Sequence, residues 1–273
     1  QTWVDGGSNN YWSLSDLNWD SGSSAWVNDN NALFSGGVGA TGSVVEVEGD
    51  LSVGSMTFSA NGYEIADANN NGTLTLTGSP VIAVTRAGDT NKISESLAGA
   101  AFTKSGSGIL QLTASNSFTG VVTVASGILR LTPNNVGVLG AAGDGNGVVV
   151  QDGATLDASC AWNGNVDEDI TITGTGVGGM GALANTGPND NYNCGFRDLT
   201  LAGDATVGIY RRFDLRGGAS FTGNGHTLTK IGDAEMAVSR PMGGSPIVIN
   251  AGTYTIQNGQ ALGGTDYDTT VNG

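Results

Sequence analysis

Gly106-Ser107-Gly108-Ile109-Leu110-Gln111-Leu112-Thr113-Ala114-Ser115-Asn116-Ser117-Phe118-Thr119-Gly120-Val121-Val122-Thr123-Val124-Ala125-Ser126-Gly127-Ile128-Leu129-Arg130-Leu131 alternates apolar and polar residues in short runs broken by glycine. A period of two is the signature of a β-strand with one buried face. The pattern recurs downstream. Thr103-Lys104 opens one copy and Thr229-Lys230 the other. Val122-Thr123-Val124 through Leu131 reads against Ile247-Val248-Ile249 through Ile256, and Leu74-Thr75-Leu76 reads against Leu199-Thr200-Leu201. The offset stays at about 125 residues. Strand patterns that recur in order predict a quasi-one-dimensional stack of coils rather than a two-layer globule. The expected fold is all-β: a stack of β-coils, or β-solenoid.

Composition agrees with many short strands joined by tight turns. Gly accounts for 46 of the 273 residues, while hydrophobic residues make up 38%. Asn-Gly and Asp-Gly pairs at Asn61-Gly62, Asp152-Gly153, Asn224-Gly225 and Asn258-Gly259 supply the positive φ that such turns need. The spacing of the turns also suits a β-sandwich, and the duplication favours the solenoid. Residues 1–40 hold four of the five tryptophans, Trp3, Trp12, Trp19 and Trp26. This segment is expected to cap the first coil, with a sugar-stacking platform as the alternative. The β-helix is expected over 41–273, with the duplication at about 74–140 and 199–263. An irregular loop is expected to leave the stack at about 174–196, where alternation stops. No cap is evident at 264–273, so head-to-tail self-association is an expectation.

The net charge of −15, with only ten Lys and Arg, disfavours nucleic acid as a partner, because phosphate neutralisation needs clustered cations. It equally disfavours an anionic membrane surface. No run of about eighteen apolar residues predicts membrane insertion of this chain. Cys160 and Cys194 lie in polar, Asn-rich turns. A disulfide in an oxidising compartment is the reading, and two free thiols are the alternative.

The quoted stretch resembles the autotransporter-associated β-strand repeat, with Phe118 in place of the usual Tyr. The resemblance is strong over 103–131 and diffuse elsewhere. It implies an all-β, right-handed parallel β-helix of the passenger type in a secreted or cell-surface bacterial protein. The repeat brings no catalytic residues, and the expected role is a non-enzymatic stalk, extracellular matrix or fibre component, or adhesin segment.

Chemistry is sparse. His226 is the one histidine and lies among plain strand and turn residues. Arg197, Arg211, Arg212 and Arg216 cluster with Asp214. Alternation sets Arg212, Asp214 and Arg216 on an outward face, with Phe213 and Leu215 inward. This face is read as a salt-bridge ladder. The alternative is a polysaccharide-binding or polysaccharide lyase-like groove for uronic acids or host and cell-surface glycans. Asp67, Asn69 and Asn71 match the first half of a calcium loop, D-x-N-x-N-G. The carboxylate due at loop position twelve falls on Gly78, which cannot ligate. The plainer reading is an Asn-rich turn. No cofactor other than calcium is suggested.

Overall fold

A computed structural model describes residues 1–3, 9–36, 43–67, 69, 71–131, 137–141, 143, 145–159, 164–188, 190, 194–215 and 220–272, without the side chains of 164–167, 194 and 197. Every strand-to-strand ladder among these residues is parallel, and the strands wind into a three-sided coil. On the first face Val81, Thr103, Thr123, Val149, Thr171, Thr200 and Thr222 stand in register, each one coil above the last. On the second face Leu110, Leu129, Leu156, Leu183 and Val207 do the same. The third face is made by Leu51–Val53, Leu74–Leu76 and Leu97–Gly99. Further along, Phe213–Leu215, Glu235–Val238 and Thr253–Ile256 form another three-stranded ladder. A parallel β-helix is therefore the observed architecture, as the recurring apolar pattern predicts.

The alternation decides which side chains are buried. In Val121–Val124 the residues Val122 and Val124 are inward and buried, while Val121 is exposed. Because the pairing is parallel and in register, each inward residue lies on the inward residue of the next coil. Apolar columns result, and each side chain buries its surface on like neighbours above and below. At the N-terminal end the column is aromatic. Trp3, Phe34 and Phe58 stand in register. Phe34 and Phe58 stack with centroids 4.8 Å apart. Trp12, Trp19 and Trp26 complete the cluster, and all four indoles are buried. With no free indole face, the sugar-stacking platform is set aside.

Glycines make the corners possible. Gly127 sits at φ +67°, and a Cβ there would meet the Gly106 carbonyl oxygen at 2.3 Å. The backbones of successive coils approach too closely at this corner for any side chain.

Two features depart from the sequence reading. The stretch 174–196 does not leave the stack as a whole: Leu183–Asn185 is a strand paired to Thr155–Asp157 below and to the Val207–Ile209 segment above. Its alternation is missing because Ala182, Leu183, Ala184 and Asn185 are all buried. A strand covered on both sides loses the period-two signature. The second feature is a rotation of the duplicated unit. The first copy places Thr103–Ser105 and Ile109–Leu112 on the first and second faces. The second places Leu228–Ile231 on the second face and Glu235–Val238 in the ladder that follows it. The unit recurs in order but one face further round.

Replacing Leu129 by Ala removes one fully buried link of the second-face column. It is expected to lower the unfolding free energy by about 3 kcal/mol. Val121→Ala, at an exposed outward position, is expected to change it by no more than about 0.5 kcal/mol. Urea denaturation of the two variants checks this.

Candidate functional site

The arginine cluster is built at the corner where the long strand Cys194–Ile209 turns into Phe213–Leu215. Asn185, buried one coil below, holds that corner. Its side-chain amide donates to the carbonyls of Arg211 and Arg212 at 3.3 and 2.9 Å, and its own carbonyl accepts from the N–H groups of Tyr210 and Arg211. Arg212 then lies over Phe213–Leu215 and toward the next coil. Its Nε is 3.2 Å from Asp214, and its other end pairs with Glu235. Glu235 also accepts a 2.6 Å bond from the Thr255 hydroxyl one coil further on. Asp190 accepts the Arg212 backbone N–H at 3.0 Å. Asp190, Arg212, Ala234 and Glu235 line an open groove of about 250 Å³.

Phe213 and Leu215 face the core, as alternation requires, but Asp214 is also fully buried. The outward face at this strand is a covered ion-pair cluster rather than a displayed charge ladder. Arg211 is exposed, and its guanidinium returns to the Tyr210 carbonyl. The structure thus brings Arg212 and Asp214 together and leaves Arg211 apart from them. Arg216 and the Arg197 side chain lie outside the described residues, as do Cys160 and the Cys194 side chain, so the disulfide does too. His226 is near Asp204, with Nδ1 at 3.8 Å, on a partly exposed edge.

A cross-coil charge ladder is formed elsewhere, on the outward side of the second face. Glu64, Lys92, Gln111, Arg130 and Asp157 succeed one another in register. Lys92 pairs with Glu64 at 2.6 Å, and Arg130 with Asp157 at 2.9 Å. Asp157 is fully buried, and the Thr186 hydroxyl also donates to it at 2.6 Å. Spacing within one strand does not reveal these pairs, because the partners are a whole coil apart.

Two lysines are the polar residues that sequence reasoning aligned but gave no role. Lys104 occupies an inward column between Ile82 and Val124, and Lys230 one between Val207 and Ile249. Both are buried. Each stem runs among aliphatic neighbours and each ammonium ends at a corner. Lys104 Nζ donates to the carbonyls of Ser105, Gly106 and Ser126, each at 2.9 Å. Lys230 Nζ donates to Gly232 and Ala251 at 2.9 and 2.6 Å. These acceptors are equivalent in the two copies: one follows the lysine by two residues, and another belongs to the turn of the next coil. Each lysine therefore ties two successive corners and supplies donors to their part-buried carbonyls. Burial pushes both ammonium groups down to about 8. The recurrence of Thr-Lys at the head of both copies is the signal that would have found them.

Asp67 folds back over its own turn, accepting the N–H groups of Asn69 and Asn71 at 3.1 and 3.3 Å. Asn71 accepts the Gly49 N–H from the turn below at 3.4 Å. Among the described residues, no three of His, Cys, Asp and Glu converge as a metal centre.

Comparison with known proteins agrees with this geometry. Residues 102–131 match the family model described as the passenger-associated-transport-repeat. Over 202 residues, 73% of this chain, the sequence is 35% identical to the adhesin BmaC autotransporter of Brucella suis biovar 1 (strain 1330). The matched region is 5% of that protein's length. No solved structure matches the chain.

Replacing Lys104 by Met keeps the aliphatic stem and strands three carbonyls. It is expected to cost about 3 kcal/mol at pH 7. The sign of its pH dependence follows from linkage. The folded lysine loses its proton near 8, before the unfolded one, so between pH 8 and 10 the unfolded chain binds more protons. Wild type then gains stability relative to the variant by at most about 1.4 kcal/mol per pH unit. Urea titrations at pH 7, 8, 9 and 10 measure the difference, which should widen with pH.

Proposed function

Taking the chain as a passenger-type β-helix that carries the autotransporter-associated repeat, we propose that it is a rigid segment of a cell-surface bacterial adhesin. The repeat at 102–131, set within an unbroken parallel stack, is the observation that carries this reading. Such a stack adds about 4.8 Å of length per coil and presents long outward faces of Thr, Ser and charged residues. A net charge of −15 keeps those faces soluble and apart from one another. The role is structural and adhesive rather than catalytic. The groove at Arg212 favours this over a uronate lyase, because the guanidinium is already engaged by Asp214 and Glu235. A substrate carboxylate would have to displace both.

The partners are host or cell-surface molecules reached by the long faces, with surface glycans as one class. Head-to-tail association is a further part of this reading: Ile256 and Val271 are more than half exposed, and a second copy stacked over them would cover both.

Beads coated with the purified chain are expected to bind epithelial monolayers above albumin-coated beads, and periodate treatment of the cells is expected to reduce that binding. Binding no better than albumin would overturn the adhesive role. For the end contact, sedimentation velocity is expected to show a weight-average coefficient rising with protein concentration. Val271→Lys should flatten that rise.

A further inference from the structure

Residues 239–246 join Glu235–Val238 to Ile247–Ile249, and residues 257–268 join Thr253–Ile256 to Thr269–Val271. The two segments form the same corner on successive coils, because the strands on either side of them pair in register. An open groove of about 450 Å³ lies at this corner, within the range of small-molecule pockets. The groove at Arg212 is held by an ion-pair cluster. In this one the only charged side chain of the lining is Asp266.

Stacking accounts for part of the corner. The Gly225 N–H of the preceding coil donates to the Gly244 carbonyl at 2.7 Å, and a Cβ on Gly263 would meet the Ser245 carbonyl oxygen at 2.5 Å. Backbones approach there too closely for side chains. Gly243 and Gly259 are different. Both line the groove, neither has a positive φ, and a Cβ on either would meet nothing within 4 Å. The fold does not require glycine at these two positions, and its presence there keeps the groove open. Polar groups stand beside that floor on a fixed backbone. The Gln260 N–H donates to the Asn258 side chain at 2.8 Å, and its carbonyl accepts the Met242 N–H at 2.9 Å. The Gln260 side chain itself is exposed. Asp266 is exposed too, and one of its oxygens accepts the Thr265 hydroxyl at 3.4 Å. Tyr267 is half-buried and extends from the Gly263 corner toward Gly225 one further coil away.

We propose that this groove binds a neutral pyranose unit of a surface glycan, with Tyr267 as the stacking ring and Gln260 and Asp266 as partners for its hydroxyls. The face of an aromatic ring is electron-rich, which suits the polarised C–H groups along one side of a pyranose. Sugar hydroxyls both donate and accept. A carboxylate that only accepts and a carboxamide that does both are matched to them. Asp266 and the net charge of −15 disfavour sialic and uronic acids. The site rests on the adhesive reading above, for which it supplies a place and a ligand class.

Saturation-transfer difference NMR on the whole chain tests the site, with the methyl glycosides of galactose, glucose, mannose and N-acetylglucosamine as probes. Transfer to at least one of them is expected, with little or none to N-acetylneuraminic acid. Gly243→Leu and Gly259→Leu place a side chain in open space, so both variants should keep the wild-type unfolding temperature and lose the transfer. Tyr267→Ala should lose it as well, and Asp266→Ala should weaken binding by about tenfold. No transfer to any of the glycosides would overturn the site, as would transfer that survives both glycine variants. Equal transfer to N-acetylneuraminic acid would overturn the neutral class. Glycoside binding by a chain whose coated beads do not adhere to cells leaves the site standing and removes the adhesive reading. Adhesion by a chain that binds none of the glycosides does the reverse.

Discussion

Each inward side chain of this protein rests on the inward side chain of the coil below and supports the one above. Parallel pairing in register imposes that condition, and most other features follow from it. Leu110, Leu129, Leu156 and Leu183 satisfy it with like residues. Trp3, Phe34 and Phe58 satisfy it with aromatic ones at the N-terminal end. A column has no room for a residue that must reach water. Several polar groups within the stack serve the corners, where carbonyls need donors. Lys104 and Lys230 meet that need from inside apolar columns. Asn116 meets it at another corner, accepting the Leu97 N–H at 2.8 Å and donating to the Val138 carbonyl at 2.6 Å.

Such a molecule has stability distributed along its length, with each coil depending on its neighbours. That suits a segment whose work is to hold surfaces at a distance. It also explains why the charged pairs, Glu64 with Lys92 and Arg130 with Asp157, run across coils rather than along strands. Cross-coil pairs resist slippage of register, and in a period-two structure a slip of one residue would turn every apolar side chain outward.

The architecture was legible because period-two alternation and glycine corners are local signals, present in Gly106–Leu131 without reference to anything distant. What was less legible is of one kind. Asp214 is buried because Arg212 and Glu235, on different coils, close over it. Leu183–Asn185 hides its alternation because residues on both of its sides are buried. The rotation of the duplicated unit by one face depends on how many residues each corner consumes, which no single turn discloses. Contacts made once per coil need the coil length before they can be read.

The stacking itself is open to direct measurement. Val81, Thr123, Thr171 and Thr222 lie on one outward column, with Thr103, Val149 and Thr200 between them. Nitroxide labels on cysteines at these positions, in a chain with Cys160 and Cys194 replaced by serine, allow electron–electron distances from Val81 to be recorded. At about 4.8 Å per coil, the backbone separations to Thr123, Thr171 and Thr222 should be about 10, 19 and 29 Å, on a straight line against coil number. Distances that double back or fail to increase along the series would contradict the parallel stack.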